Sequence, residues 1–290
     1  MLKKGIGIFL AASILMGPMV NDCEAGSNIW NDIGKFFSSG SNSSNRSSSR
    51  QQSDPAPKQI EFNLDGRYSR IQFDNTVFQK TSFVSEHYFT VDKPSEVDLH
   101  FIGHTHRYFY FYVFDSDQNK LGSQAGVLEN SDDKTLILRP GRYVIKTKVD
   151  HNNGQNKKDI DYEVKGTMRN IPVTVDVPNY SRHDAVGLFF GEETVDYMPV
   201  YDNDEQDQKY YKIVLQTPTT INILIDKLSK KCSVYFELLD EDERLIDYLN
   251  DFRDNHLIYS KALNAGTYYL KVKRAGTTRE NDGAYSIRIK

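Results

Sequence analysis

Cysteine is nearly absent: the 290 residues hold two, Cys23 and Cys232. Two thiols supply neither a disulfide framework nor a four-thiolate zinc site. An excess of one charge is missing too. With 36 basic and 40 acidic side chains the net charge is −4, and generic nucleic-acid binding, which needs clustered positive charge, is disfavoured. Beyond the first twenty residues no stretch keeps a helical period long enough for an α/β alternation. The sequence also lacks a Gly-x-Ser-x-Gly elbow, a His-Glu-x-x-His pair and a phosphate loop, which disfavours the common hydrolase and nucleotide chemistries. What it has in quantity is aromatic: 18 Tyr and 16 Phe beside one Trp, a supply suited to β-sheet cores.

The chain opens with Lys3 and Lys4, an apolar run from Gly5 to Val20, and Cys23-Glu24-Ala25. A basic start, a short apolar core and a small residue at a cleavage point predict a secretory signal peptide over residues 1–25. The run is shorter than the roughly 20 residues a spanning helix needs, so no membrane span is expected in the mature chain. Cleavage after Ala25 leaves Cys232 as its only thiol. Residues 26–57 read as a flexible tether, because Ser38–Ser53 holds no apolar residue able to offset the entropy of ordering. Ahead of that stretch, Ile29, Trp30, Ile33, Phe36 and Phe37 recur at helical spacing, read either as a short docking helix or as an ordered remnant beside the cleavage site.

Residues 58–290 read as strands, short runs of Val, Ile, Tyr, Phe and Thr punctuated by Asp65-Gly66, Gly141, Asn153-Gly154, Gly266 and Asp282-Gly283. They also repeat. His87-Tyr-Phe-Thr-Val91 aligns with Lys209-Tyr-Tyr-Lys-Ile213, and Pro94, Val97, Leu99, Phe101 with Pro218, Ile221, Ile223, Ile225. Phe109, Phe111 and Val113 match Val234, Phe236 and Leu238. Leu138-Arg-Pro-Gly-Arg-Tyr-Val-Ile145 matches Leu263-Asn-Ala-Gly-Thr-Tyr-Tyr-Leu270, and Asp161-Tyr-Glu-Val164 matches Ala284-Tyr-Ser-Ile287. The blocks begin at 87, 94, 109, 138 and 161 in one copy and at 209, 218, 234, 263 and 284 in the other, an offset of 122 to 125 throughout. The fold expected is therefore all-β: two tandem antiparallel β-sandwiches of jelly-roll type, over 58–170 and 171–290. Glycine at 141 and 266 is expected where the backbone takes a turn that β-branched residues resist. Cys232, in phase with Val234 and Phe236, reads as a small buried hydrophobe.

A Tyr-Tyr strand, an alternating strand after proline, an aromatic strand running into an Asp-rich turn, and Leu-x-x-Gly-x-Tyr-x-Leu/Ile closed by Tyr-x-Val/Ile together resemble the bacterial pre-peptidase C-terminal (PPC) domain. The resemblance covers both copies. The second copy fits more closely, since Asp202-Asn-Asp-Glu-Gln-Asp207 precedes Tyr210-Tyr211, where the first has Val84-Ser85-Glu86. It implies β-sandwich modules of secreted proteins, often found beside proteases, some of them holding calcium near this acidic edge.

Three groups of side chains are candidates for function. Tyr108, Tyr110 and Tyr112 alternate with the inward Phe109, Phe111 and Val113 and so face the other side of their sheet. They are read either as a ligand-binding stripe or as cross-strand pairs on a partly covered face. The second copy has Ser233, Tyr235 and Glu237 there, so the fold does not demand the stripe. Asp202, Asp204, Glu205 and Asp207, with Asp240 and Asp242, put dense carboxylate on the second copy, as structural calcium or as solvated loops. Residues 58–170 carry 16 basic and 16 acidic groups and 171–290 carry 15 and 20, so the negative excess belongs to the second copy. His100, His104 and His106 suggest a metal site less strongly, since no carboxylate adjacent in sequence completes it.

The function expected is non-catalytic attachment, after export to the periplasm, surface or medium, to a polysaccharide or protein of the envelope or exterior. Two copies would raise effective concentration at a multivalent surface. The alternatives are an accessory or chaperone-like partner of a secreted peptidase, and a hydrolase with a site the motifs do not reveal.

Overall fold

A computed structural model describes residues 56–73, 83–105, 107–149, 160–175, 177–200, 208–250, 255–275 and 282–290. The signal peptide and nearly all of the tether lie outside the described residues. In the first copy β1 (Lys58–Glu61), β3 (Phe83–Val91), β8 (Gly141–Val149), β5 (Phe109–Asp115) and β6 (Lys120–Val127) form one sheet in that order. Facing it are β2 (Asp65–Phe73), β9 (Ile160–Asn170), β4 (Ser95–Gly103) and β7 (Ser131–Leu138). The second copy repeats the plan. Its five-stranded sheet runs β10 (Val186–Gly187), β12 (Gln208–Leu215), β17 (Gly266–Arg274), β14 (Val234–Leu239), β15 (Leu245–Leu249). Its four-stranded sheet runs β11 (Glu193–Met198), β18 (Gly283–Ile289), β13 (Thr219–Lys227), β16 (His256–Leu263). Raising each label of the first copy by nine gives the second, so the repeat read from sequence is a repeat of topology. The chain is all-β, two sandwiches built from four sheets. With β1 and β10 set aside, the remaining strands interleave between sheets as in a jelly roll. β1 and β10 pair in parallel with β3 and β12, the two parallel edges of otherwise antiparallel sheets.

The period-2 alternation explains the burial. Val97, Leu99 and Phe101 on β4, and Ile221, Ile223 and Ile225 on β13, all point inward and are buried. Phe101 stacks on Phe111 across the first core at 4.2 Å between centroids, a spacing at which aromatic pairs add to burial alone. Pairing also corrects one alignment. His87 lies opposite Ile145, and Tyr211 lies opposite Leu270. The counterpart of His87 is thus Tyr211, and that of Lys209 is Ser85, a shift of two from the sequence match. A second correction concerns the Leu-x-x-Gly turns: Gly266 has a positive φ of 156°, while Gly141 has none.

The copies are docked against each other. β7 is an edge strand whose Ile137 would leave its backbone groups unpaired. The second copy satisfies both: Ile137 N donates to Asp282 Oδ2 at 2.6 Å, and Val200 N donates to Ile137 O at 2.9 Å. A second carboxylate works in the other direction. Glu96 of β4, buried, accepts from Lys230 N at 2.7 Å and is held by Arg169, which also donates to Leu228 O. Ile137, Ile171, Val195 and Ala284 close an apolar cluster between them.

Candidate binding surface

The outer face of the five-stranded sheet in the first copy carries the tyrosine stripe. Tyr108, Tyr110 and Tyr112 are half-buried there, while Phe109, Phe111 and Val113 fill the core. Tyr108 and Tyr110 tilt against each other at 4.8 Å. Gly126, opposite Tyr110 on β6, makes room: a Cβ there would stand 2.7 Å from the Tyr108 hydroxyl. Tyr112 meets Phe83 edge-on at 6.2 Å and Phe114 at 6.4 Å. Cations cover these rings. Lys120 Nζ lies 5.4 Å from the Tyr112 centroid, and Lys146 Nζ lies 5.6 and 5.2 Å from those of Phe83 and Phe114. Burial, then neighbouring Tyr110, raises the Tyr112 pKa. Phe114 continues the i, i+2 series, so sequence alone could have extended the stripe to it. Phe83 arrives from β3 through pairing, which the sequence does not spell out.

Beyond Phe114 the same face drops into a cleft of about 440 Å3, lined by Ile60, Glu61, Tyr88, Ser116, Gln118 and Val144 among others. Tyr88 donates to Glu86 at 2.5 Å, which raises its own pKa. Lys146 Nζ donates to Gln118 Oε1 at 2.7 Å.

The corresponding end of the second copy's sheet is covered by its own chain. Ala185 packs against Tyr210, Leu239 and Tyr269, all buried, whose counterparts are Glu86, Phe114 and Val144. Arg182 donates to Glu241 O at 2.7 Å, sits 3.6 Å from Glu243 and lies over the Tyr269 ring at 6.0 Å. Asn179 O accepts from Tyr210 N at 2.7 Å.

The acidic turns have a structural occupation. Asp240 Oδ1 accepts from Asp242 N at 2.9 Å and Arg244 N at 2.8 Å. Asp115 Oδ1 does the same for Asp117 N and Asn119 N at 2.9 and 2.8 Å. Gln118 and Glu243 both take the left-handed backbone conformation, φ 64° and 61°. These are one Asx-type hairpin turn made twice. Asp242 is exposed beside Arg244 at 3.3 Å. Asp202, Asp204, Glu205 and Asp207 lie outside the described residues, as does His106. His100 does have a carboxylate neighbour, Asp133 at 2.5 Å, and His104 has Glu163 at 3.5 Å, both brought in by pairing rather than sequence adjacency. Among the described residues no three His, Cys, Asp or Glu gather to hold a metal ion. No described helix is long and apolar enough to cross a membrane.

Each core also holds a polar cluster that sequence reading missed. In the first, Ser85 Oγ and Tyr162 Oη are hydrogen-bonded, with His87 Nε2 3.5 Å from the same hydroxyl. Burial, assisted by Lys58, lowers the His87 pKa to about 4. In the second, fully buried Asp196 pairs with Lys209, accepts from Tyr211 Oη at 2.6 Å and from Tyr197 N at 2.7 Å, and Tyr211 contacts Tyr285 at 2.9 Å. Burial lowers the Lys209 pKa against the pull of Asp196. Cys232 is partly buried against the second core, which pushes its thiol up to about 11, so it behaves as packing and not as a nucleophile.

No protein-family model matches the chain, and no curated protein matches it. Among solved structures, it is similar to the pre-peptidase C-terminal domain of a Bacillus anthracis collagenase, at 19% identity over 40% of this chain and 100% of that one, TM-score 0.30. It is also similar to PliG, a periplasmic inhibitor of g-type lysozyme from Aeromonas hydrophila, at 8% identity over 39% and 96%, TM-score 0.28. The tandem CBM22 domains of Paenibacillus barcinonensis Xyn10C span 82% of this chain and 99% of their own, at 8% identity and TM-score 0.24. Similarity of this order names no family.

Proposed function

We propose that the chain is an exported, non-catalytic attachment protein that holds an extracellular or cell-envelope polymer on the outer face of its first sandwich. The observation that carries this reading is the ladder Tyr108, Tyr110, Tyr112, Phe114. Its rings are half-buried and neighbour one another along the strand, and the second copy, of identical topology, keeps only Tyr235 of the three tyrosines. Where topology repeats and a surface does not, folding does not account for the surface. Tyrosine suits such a role because a large apolar face with a polar tip loses little side-chain entropy on binding.

Co-sedimentation of residues 55–290 with peptidoglycan, chitin, cellulose and collagen tests this, beside the Tyr108/Tyr110/Tyr112→Ala variant. Retention on one matrix, lost in the variant, is the expected result; retention on none overturns the reading for those matrices. Calcium on the acidic edge of the second copy, at Asp202, Asp204, Glu205, Asp207, Asp240 and Asp242, is a separate proposal, supported by charge density alone. Parallel melts in calcium and in EDTA decide it, with a higher Tm in calcium expected and equal values against it.

A further inference from the structure

The second sandwich shows what its long sheet can seat. Residues 179–185 leave the sheet edge just before β10 and loop back over the outer face. They place Ala185 on Tyr210, Leu239 and Tyr269, and Arg182 on the β14–β15 turn. In the first sandwich the chain takes another path. β1 is four residues long and stays in register with β3 from Lys58↔Ser85 to Glu61↔Tyr88, where β10 pairs over two residues only. Lys58 and Gln59 are therefore paired along the edge, at the positions that Asp184 and Ala185 occupy ahead of β10 in the second copy, and the described residues leave a cleft beside them.

We infer that this cleft seats a short polypeptide loop of a partner protein, carrying a basic side chain and, three residues later, a small apolar one. The inference rests on the reading of this face as the binding face, and names the ligand class for its end. The floor includes Val144, buried, which stands where Tyr269 does, beside Ile60 and Tyr143. The wall is the Asx turn that receives Arg182 in the second copy, with the same backbone geometry at Gln118 as at Glu243. Asp115 on that turn and Glu61 on β1 supply negative charge; Arg142 in the lining and Lys146, bonded to Gln118, oppose it. Among the differences between the copies here, Gln118 for Glu243 and Val144 for Tyr269 each weaken the hold on a guanidinium, so the site fits a ligand that comes and goes rather than a permanent cover.

The probe is a synthetic peptide of residues 177–187, titrated into residues 55–290 and followed by amide chemical shifts. Saturable shifts centred on Ile60, Tyr88 and Val144, with Kd of about 1 mM or tighter, are expected. The Gln118→Glu/Val144→Tyr protein, which restores the second copy's chemistry, tightens binding roughly tenfold. A peptide with Ala185→Glu shifts nothing, and this comparison needs no change in the protein. Absence of shifts, shifts mapped elsewhere, or equal binding of the Ala185→Glu peptide each overturn the inference. The Tyr108/Tyr110/Tyr112→Ala protein separates it from the stripe. Peptide binding without retention on any matrix sinks the stripe alone, and retention without peptide binding sinks the cleft alone.

Discussion

The two sandwiches share every strand and part company at two places, the polar cluster inside and the face outside. At four matched core positions the first has Ile71, Ser85, His87 and Tyr162, and the second has Asp196, Lys209, Tyr211 and Tyr285. One set is nearly neutral, with a histidine that burial keeps uncharged. The other is an ion pair roofed by two tyrosines. The same backbone tolerates either, so neither cluster is a condition of the fold. Each is a local solution that must be internally complete, because a buried polar group left without its partner is costly.

The largest effect expected from breaking this comparison is at Asp196. Asp196→Ala strands Lys209 and the Tyr211 hydroxyl and should cost about 3–5 kcal/mol in urea unfolding. Importing the first copy's apolar and small residues together, Asp196→Ile with Lys209→Ser, should recover much of that. If the double variant is no better than the single, the clusters are not interchangeable.

Next comes pH. His87 has its pKa lowered to about 4 from 6.5, so its contribution is full above pH 6.5 and is lost as pH falls through about 4. Asp282, at the junction of the copies, has its pKa raised to about 6 from 3.8, chiefly by burial. Its contribution is full below pH 3.8 and is lost as pH rises through about 6. The two slopes oppose each other over one range. His87→Gln should flatten the acid loss between pH 6.5 and 4, and Asp282→Asn should steepen it. Identical slopes in both variants and wild type would rule the pair out.

Asp282→Ala at fixed neutral pH leaves Ile137 N unpaired and should cost about 1–3 kcal/mol. Smallest is the turn. Asp115→Ala and Asp240→Ala each remove two side-chain–backbone hydrogen bonds and should each cost about 1 kcal/mol, Asp115→Ala slightly more because it also loses the bond from Asn119 Nδ2 at 3.0 Å. A clear inequality would show that the turns are not one motif used twice.

How much of this was written in the sequence depends on the range of the interaction. Alternation along a strand is local, so the inward Phe109, Phe111 and Val113 and the outward tyrosines could be read directly. The acidic turns were visible at matching positions, but the engagement of the Asp240 carboxylate by backbone amides two and four residues on was not. The spacing from Asp115 to Asn119 repeated from Asp240 to Arg244 was the available signal. Register was beyond reach, which is why His87 was matched with Lys209 instead of Tyr211. Glu96 and Asp282 gave no sign at all. Each looks like an ordinary surface acid until the other copy buries it.

That junction bears on how two copies would work together. Independent modules on a string gain from a flexible reach, since each can search for its own ligand. Here Asp282 and Val200, through the β7 edge, and Glu96 and Arg169, through Lys230 and Leu228, fix one sandwich against the other. Fixed docking gives that freedom up: the face proposed for binding on the first sandwich is carried at one set distance and angle from the second, so a ligand held there would meet the second sandwich in a single orientation.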